Sequence, residues 1–214
     1  EDYSAAQRAA QQGLEVAPDD VRFILLLAQA EIRLNNISAA ETQTNALLES
    51  HGGNQDLRLS LAQLYLEEGH PEPAQRLLQP LIGQPEVPNL AYYLLGAIIQ
   101  AQGDTDNALL YYRQVNEGDE FVPARAAAAQ MLIEEDRLLD ARAFLRIERM
   151  RFDSYFTELV MLEVQLLDEM NQPTDANALL DREITRTPDD AALLYVRAMR
   201  RWEAGDIEGM ERDL

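Results

Sequence analysis

Apolar and small residues recur along the chain at spacings of three and four, the period of an amphipathic helix. Ile24, Leu27, Ala28 and Leu34 form one stripe, and Leu61, Ala62, Leu64 and Tyr65 form the next. This patterning predicts one series of helices, called A, near 21–34, 55–68, 89–101, 121–134, 155–169 and 190–203. It predicts a second series, B, near 2–15, 38–50, 71–82, 105–117, 137–149, 173–186 and 207–214. Ser38-Ala39-Ala40-Glu41 fits a capping box at the start of one B helix. Pro18 and Pro188 each open a Pro-Asp-Asp step. A proline in a helix's first turn sacrifices no hydrogen bond, and aspartates there complement the helix dipole.

The pattern repeats. Small residues stand at Ala6, Ala40, Ala74, Ala108, Ala141 and Ala176, followed by Met210, with gaps of 34, 34, 34, 33, 35 and 34 residues. A second track runs through Ala28, Ala62, Gly96, Ala129, Val164 and Ala198. A third runs through Asn35, Gly69, Gly103, Asp136, Asn171 and Gly205. These last are the residue types that tolerate the left-handed backbone of a helix stop. Each period therefore holds helix A, a turn, helix B and another turn.

At this point the chain resembles the tetratricopeptide repeat family. Tyr92, Leu95-Gly96, Ile99, Gly103, Ala108 and Tyr112 carry the clearest likeness, and Leu61-Ala62, Tyr65, Gly69, Ala74 and Leu78 carry it nearly as well. The resemblance, to bacterial members in particular, implies an all-α superhelical solenoid of about six antiparallel helix pairs with a concave face lined mainly by A helices. The whole chain, 1–214, reads as one array cut from a longer protein. Its repeats lie near 21–54, 55–88, 89–121, 122–156 and 157–190, with a lone B helix in 1–20 and a truncated repeat in 191–214. Packing edges exposed at such ends invite end-to-end association of the fragment.

Two departures stand out. The 33- and 35-residue gaps flank the repeat at 122–156, where Arg125 falls on a position the family keeps apolar. Glu163 and Arg197 fall on equivalent apolar positions one period apart. Either they pair across neighbouring repeats, since an isolated buried charge is too costly, or local register shifts put both in water.

Composition narrows the function classes. The formal net charge is −20, every Lys-or-Arg position is arginine, and there is no cysteine. Disulfides and thiolate metal sites are thereby excluded. A strong negative field repels nucleic acid and anionic membranes; it reads either as a solvated acidic face or as a surface that recruits a basic partner. No apolar stretch is long enough to cross a bilayer.

Catalytic motifs are missing. His51 and His70 fall in turns, His51 beside Gly52-Gly53, and make no metal site; no cofactor fingerprint appears. Glu67-Glu68, Glu134-Glu135 and Asp168-Glu169 are adjacent carboxylates, which diverge on a helix. Asn36-Ile37-Ser38 is formally a glycosylation sequon, though Ser38 is already accounted for as a cap.

The resemblance implies a ligand groove at fixed positions of helix A. Its fifth position holds Leu25, Leu59, Tyr93, Ala126, Met161 and Tyr195; its ninth holds Gln29, Gln63, Ala97, Gln130, Gln165 and Met199; its twelfth includes Trp202. The expected site is thus Leu25, Gln29, Leu59, Gln63, Tyr93, Gln130, Met161, Gln165, Tyr195 and Trp202. A glutamine ladder can bond the backbone of an extended peptide, or the glutamines are simply good helix formers facing water. The lysine–arginine–asparagine clamp by which some relatives grip a terminal carboxylate is missing, with Leu25, Gln29, Ser60, Leu90 and Leu94 in its place. The expectation is a non-enzymatic scaffold or adaptor that binds a protein or peptide, without metal or cofactor, nucleic acid or membrane insertion. A structural spacer, a self-association module or the substrate-recruiting region of a larger enzyme are the alternatives. Bacterial envelope and cytoplasm are both compatible with the sequence.

Overall fold

The computed structural model describes residues 2–51 and 53–214, so Glu1 and Gly52 lie outside the described residues. The protein is all-α: thirteen α-helices and no strand occur among the described residues. They fall into two compact units, Glu1–Asp104 and Thr105–Leu214. The first holds α1 (Tyr3–Val16), α2 (Val21–Arg33), α3 (Ile37–Ser50), α4 (Gln55–Glu67), α5 (Pro71–Leu78) and α6 (Asn89–Ala101). The second holds α7 (Thr105–Gln114), α8 (Phe121–Glu134), α9 (Leu138–Arg151), α10 (Phe156–Glu169), α11 (Pro173–Arg186), α12 (Ala191–Glu203) and α13 (Ile207–Asp213). The division falls between α6 and α7, a boundary that the repeat spacing does not announce.

The A helices are α2, α4, α6, α8, α10 and α12, and all six stop in the same way. The residue after each cap is left-handed: Asn35, Gly69, Gly103, Asp136, Asn171 and Gly205, with φ from 58° to 80°. The next N–H reaches back five residues to a helix carbonyl, as in Asn36 to Glu31 (2.7 Å), His70 to Tyr65 (2.8 Å), Arg137 to Leu132 (2.7 Å) and Asp206 to Arg201 (2.8 Å). This is the Schellman closure, and it satisfies carbonyls that a helix end otherwise leaves bare.

Small residues hold the pairs together. Ala40, Ala74, Ala108, Ala141 and Ala176 on B helices are fully buried, as are Ala28, Ala62, Ala129 and Ala198 on A helices. Without side-chain bulk, backbones approach closely and larger neighbours fill the remaining space. In the first unit Leu61, Tyr65, Leu78, Leu81 and Leu95 are buried around these contacts. In the second, Val160, Val164, Leu167, Leu179, Leu180 and Leu193 form a continuous cluster.

Two local readings need correction. Ser38 is not the cap of α3: the helix begins at Ile37 with Asn36 at its N-cap, and Ser38 lies inside it, its carbonyl accepting from the Thr42 hydroxyl (2.9 Å). Asn36 makes no side-chain cap bond because its amide donates to the Glu31 carboxylate instead (2.8 Å). The prolines at 18 and 188 sit in the turns before α2 and α12, not in their first helical turns. The last aspartate of each step does the capping: Asp20 accepts the N–H of Arg22 (3.0 Å), and Asp190 those of Ala192 and Leu193 (both 3.1 Å).

Candidate functional site

The ten residues expected to line a groove divide equally between the two units. In the first, Gln29 is exposed, Leu25, Gln63 and Tyr93 are half-buried, and Leu59 is only 7% exposed, which leaves it little surface for a ligand. In the second, Gln130, Gln165, Tyr195 and Trp202 are exposed, while Met161 is partly buried against the core cluster.

Gln130 and Gln165 are brought together. Both line a cavity of about 260 Å³ between α8 and α10, whose apolar wall includes Ala126, Ala127, Leu162 and Leu166. Leu162, Gln165, Leu166 and Glu169 follow the spacing that places residues on one helical face. The two alanines opposite leave the gap open. Met161, Tyr195 and Trp202 do not line this cavity. Leu162, Leu166 and Glu169 do, and position-by-position transfer missed them; the helical spacing around Gln165 was the signal that pointed to them.

The glutamines are not bare. The Gln165 amide donates to Glu169 (2.9 Å) and the Gln130 amide to Glu134 (3.3 Å), each one turn along its own helix. In the first unit Gln29 donates at 3.5 Å to Glu68. Glutamine donors are thus partly occupied, while amide carbonyls and carboxylates remain to accept. The acidic partners follow from sequence, since Gln63-Glu67, Gln130-Glu134 and Gln165-Glu169 share one spacing. No helix among the described residues is long and apolar enough to cross a membrane.

The family model described as Tetratricopeptide repeat matches residues 1–55 and 59–123, more than half of the chain. The chain belongs to the tetratricopeptide repeat family. A curated relative, the TPR repeat-containing protein PA4667 of Pseudomonas aeruginosa, is 31% identical over 124 residues, which are 58% of this chain and 21% of the relative. The chain therefore spans about a fifth of that protein's length, and the relative is bacterial, in keeping with the origin the sequence suggests. Among solved structures, a tetratricopeptide repeat protein from Parabacteroides merdae ATCC 43184 is 18% identical, with 99% of this chain and 84% of that chain covered and a TM-score of 0.49. The human IFIT1 dimer with m7Gppp-AAAA is 16% identical, with 95% of this chain and 56% of that chain covered and a TM-score of 0.45.

The second unit of this tetratricopeptide repeat protein buries several charged side chains. Arg125 and Glu148 are both fully buried and meet at 2.8 Å through Arg125 Nε. Arg125 Nη1 donates to the carbonyls of Tyr112 (2.8 Å) and Val115 (2.7 Å), at and just beyond the C-terminal end of α7. The arginine on an apolar position therefore acts as a tether for a helix that stops early at Gln114. Its guanidinium lies 4.2 Å from the Phe121 ring centroid and 5.2 Å from that of Phe152. Burial pushes the Arg125 guanidinium below its usual range, and the Glu148 carboxylate pulls it back.

Glu163 and Arg197 neither pair with each other nor both stand in water: Glu163 is buried, and each has partners of its own. Glu163 takes Arg149 (2.6 Å) and Arg142 (3.4 Å) from the preceding helix, α9. Arg197 takes Asp213 (2.7 Å) on the following helix, α13, and Asp181 (2.9 Å) on α11. Each charge is thus neutralised by a helix packed directly beside it, a shorter reach than a full repeat. The buried partners Glu148, Arg149, Glu183 and Asp213 went unnoticed in the sequence because they sit among many exposed charges of the same type.

Proposed function

We propose that the chain is a protein-interaction module that acts by binding, holding an extended peptide segment of a partner against the faces of its A helices. The observation that carries this reading is the cavity between α8 and α10, which has an apolar wall of alanine and leucine and two glutamines facing it. Interaction with proteins is the general role of tetratricopeptide repeats. An extended peptide matches the amide ladder because its backbone presents alternating donors and acceptors. The carbonyls of Gln130 and Gln165, together with Glu134 and Glu169, make acceptors predominate, so a segment rich in donors and basic side chains is the favoured occupant. The net charge of −20 steers such a partner in.

Site-specific photo-crosslinking tests this. A photoreactive phenylalanine analogue at Gln130 or Gln165 is expected to trap a partner that the same analogue at Ala178, exposed on α11, does not. Trapping that is equal at all three positions, or absent from both glutamine positions, would sink the groove reading and favour a spacer or self-associating module. Trapping of a second copy of this chain at Gln130 would identify self-association directly.

A further inference from the structure

A second cavity, about 880 Å³, lies in the Thr105–Leu214 unit between α9, α11 and the start of α10. It shares no lining residue with the cavity between α8 and α10. Its walls carry Arg146 and Arg149 from α9 and Arg182 and Arg186 from α11. An adjoining cavity of about 260 Å³ shares Arg146, Arg149 and Arg182 and adds Arg142. Five of the chain's arginines thus converge on one surface of a protein whose acidic groups outnumber its basic ones 38 to 18.

Carboxylates stand among them, Glu183, Asp153 and Asp190 in the larger cavity's wall and Glu163 in the smaller, with Asp175 reached by Arg142 (3.3 Å), but they are shared unevenly. Glu183, which is buried, is shared by Arg182 (3.0 Å) and Arg186 (2.9 Å), with Arg149 at 3.9 Å. Glu163 is taken by Arg149 and Arg142. Asp190 is committed to the start of α12 and to the Thr157 hydroxyl (2.5 Å). Arg146 has no ion partner among the described residues. One buried acid fixing two half-exposed guanidinium groups leaves their outer N–H edges directed at the same space. Gathering like charges in this way costs energy that an incoming anion recovers, and guanidinium forks match carboxylates bidentately.

We propose that this cavity is a second binding site, one that takes an acidic peptide segment, with carboxylates on the arginines and an apolar side chain against Met150. Met150 is 81% exposed at the cavity wall, an unsupported apolar surface beside the charges. A nucleic acid fits less well. The one aromatic ring in the wall, Phe156, already lies under the Arg186 guanidinium (5.9 Å), so no stacking platform is free for a base.

Fluorescence anisotropy on the whole chain tests the assignment, with a labelled short peptide of alternating glutamate and leucine as probe. Arg146→Glu breaks no ion pair, so the fold is kept, and it is expected to weaken binding about tenfold or more. Arg8→Glu, at an exposed position of α1 in the other unit, changes the net charge equally and is expected to leave affinity within about twofold. Replacing Gln130 and Gln165 by alanine is expected to leave this probe's affinity unchanged, which separates the site from the groove between α8 and α10. The proposal is overturned by three results: no saturable binding to the parent chain, equal losses from Arg146→Glu and Arg8→Glu, or displacement of the probe by a single-stranded oligonucleotide more readily than by unlabelled peptide.

Discussion

Removing Glu148 leaves the Arg125 guanidinium in a site from which water is fully excluded, since both side chains have no exposed surface. Breaking a buried pair from one side typically costs about 3–5 kcal/mol, because the surviving charge stays desolvated. Glu148→Ala should fall toward the lower end of that range. Arg125 would keep the Tyr112 and Val115 carbonyls and the faces of Phe121 and Phe152. Arg125→Met should cost at least as much, for a different reason. It strands the Val115 carbonyl, at about 1–3 kcal/mol for a buried polar group left unsatisfied, while the Tyr112 carbonyl keeps the Val115 N–H (3.3 Å), and it leaves Glu148 with only the surface-facing Arg151 (3.2 Å). The double replacement Arg125→Met with Glu148→Leu removes both desolvated charges, and only the carbonyl penalty remains, about 2 kcal/mol. The expected signature is strong non-additivity, with the double variant no less stable than either single one. Urea denaturation followed by Trp202 fluorescence reads the right unit, because the chain's one tryptophan lies on α12 of the same unit. A Glu148→Ala variant within about 1 kcal/mol of the parent, or a double variant whose loss equals the sum of the singles, would refute the reasoning.

Gly13→Ala should destabilise the first unit although alanine is the better helix former: its Cβ would lie 2.6 Å from the Phe23 ring, and the clash should outweigh a propensity gain of about 1 kcal/mol. A raised urea midpoint would show that Phe23 swings aside freely. Asn171 has φ of 58°, so Asn171→Ala should cost about 1 kcal/mol and Asn171→Gly should not; equal midpoints would mean that the helix stop carries no backbone preference. Asp20 should titrate at about 2 instead of 3.8, held down first by its hydrogen bond from the Arg22 side chain and then by the Arg22 N–H. A depressed carboxylate stabilises the fold above its ordinary range and loses that contribution as the pH falls through its folded value. Carboxyl NMR across an acid titration reads the midpoint directly, and a value near 3.8 would show that the Arg22 contacts do not persist in solution.

The helices themselves, their pairing and their stops follow from local chemistry. Predicted and observed helix ends differ by a few residues at most, because each A helix carries its own stop signal. Asn35, Asp136 and Asn171 were legible as left-handed alongside the glycines, since their short polar side chains tolerate that conformation. Ala40, Ala74, Ala108, Ala141 and Ala176 were legible as contact points because only a small residue recurring at one helix-pair period fits a backbone crossing. Register against the family also singled out Gln130 and Gln165, and the structure sets both at one cavity.

Tertiary structure alone decided which charges meet. Arginine and glutamate side chains are long, and one residue on a helix can reach partners on either neighbouring helix, so spacing leaves Glu163 free to choose between Arg197 and Arg149. The choice falls to whichever guanidinium the packing brings within hydrogen-bond distance and strips of water. The same physics hid the arginine-walled cavity, since Arg146 and Arg182 lie far apart in sequence and converge only once α9 and α11 are both docked on α10. Backbone signals are local and written in each residue's own conformational preference; charge pairing is a property of the assembled surface.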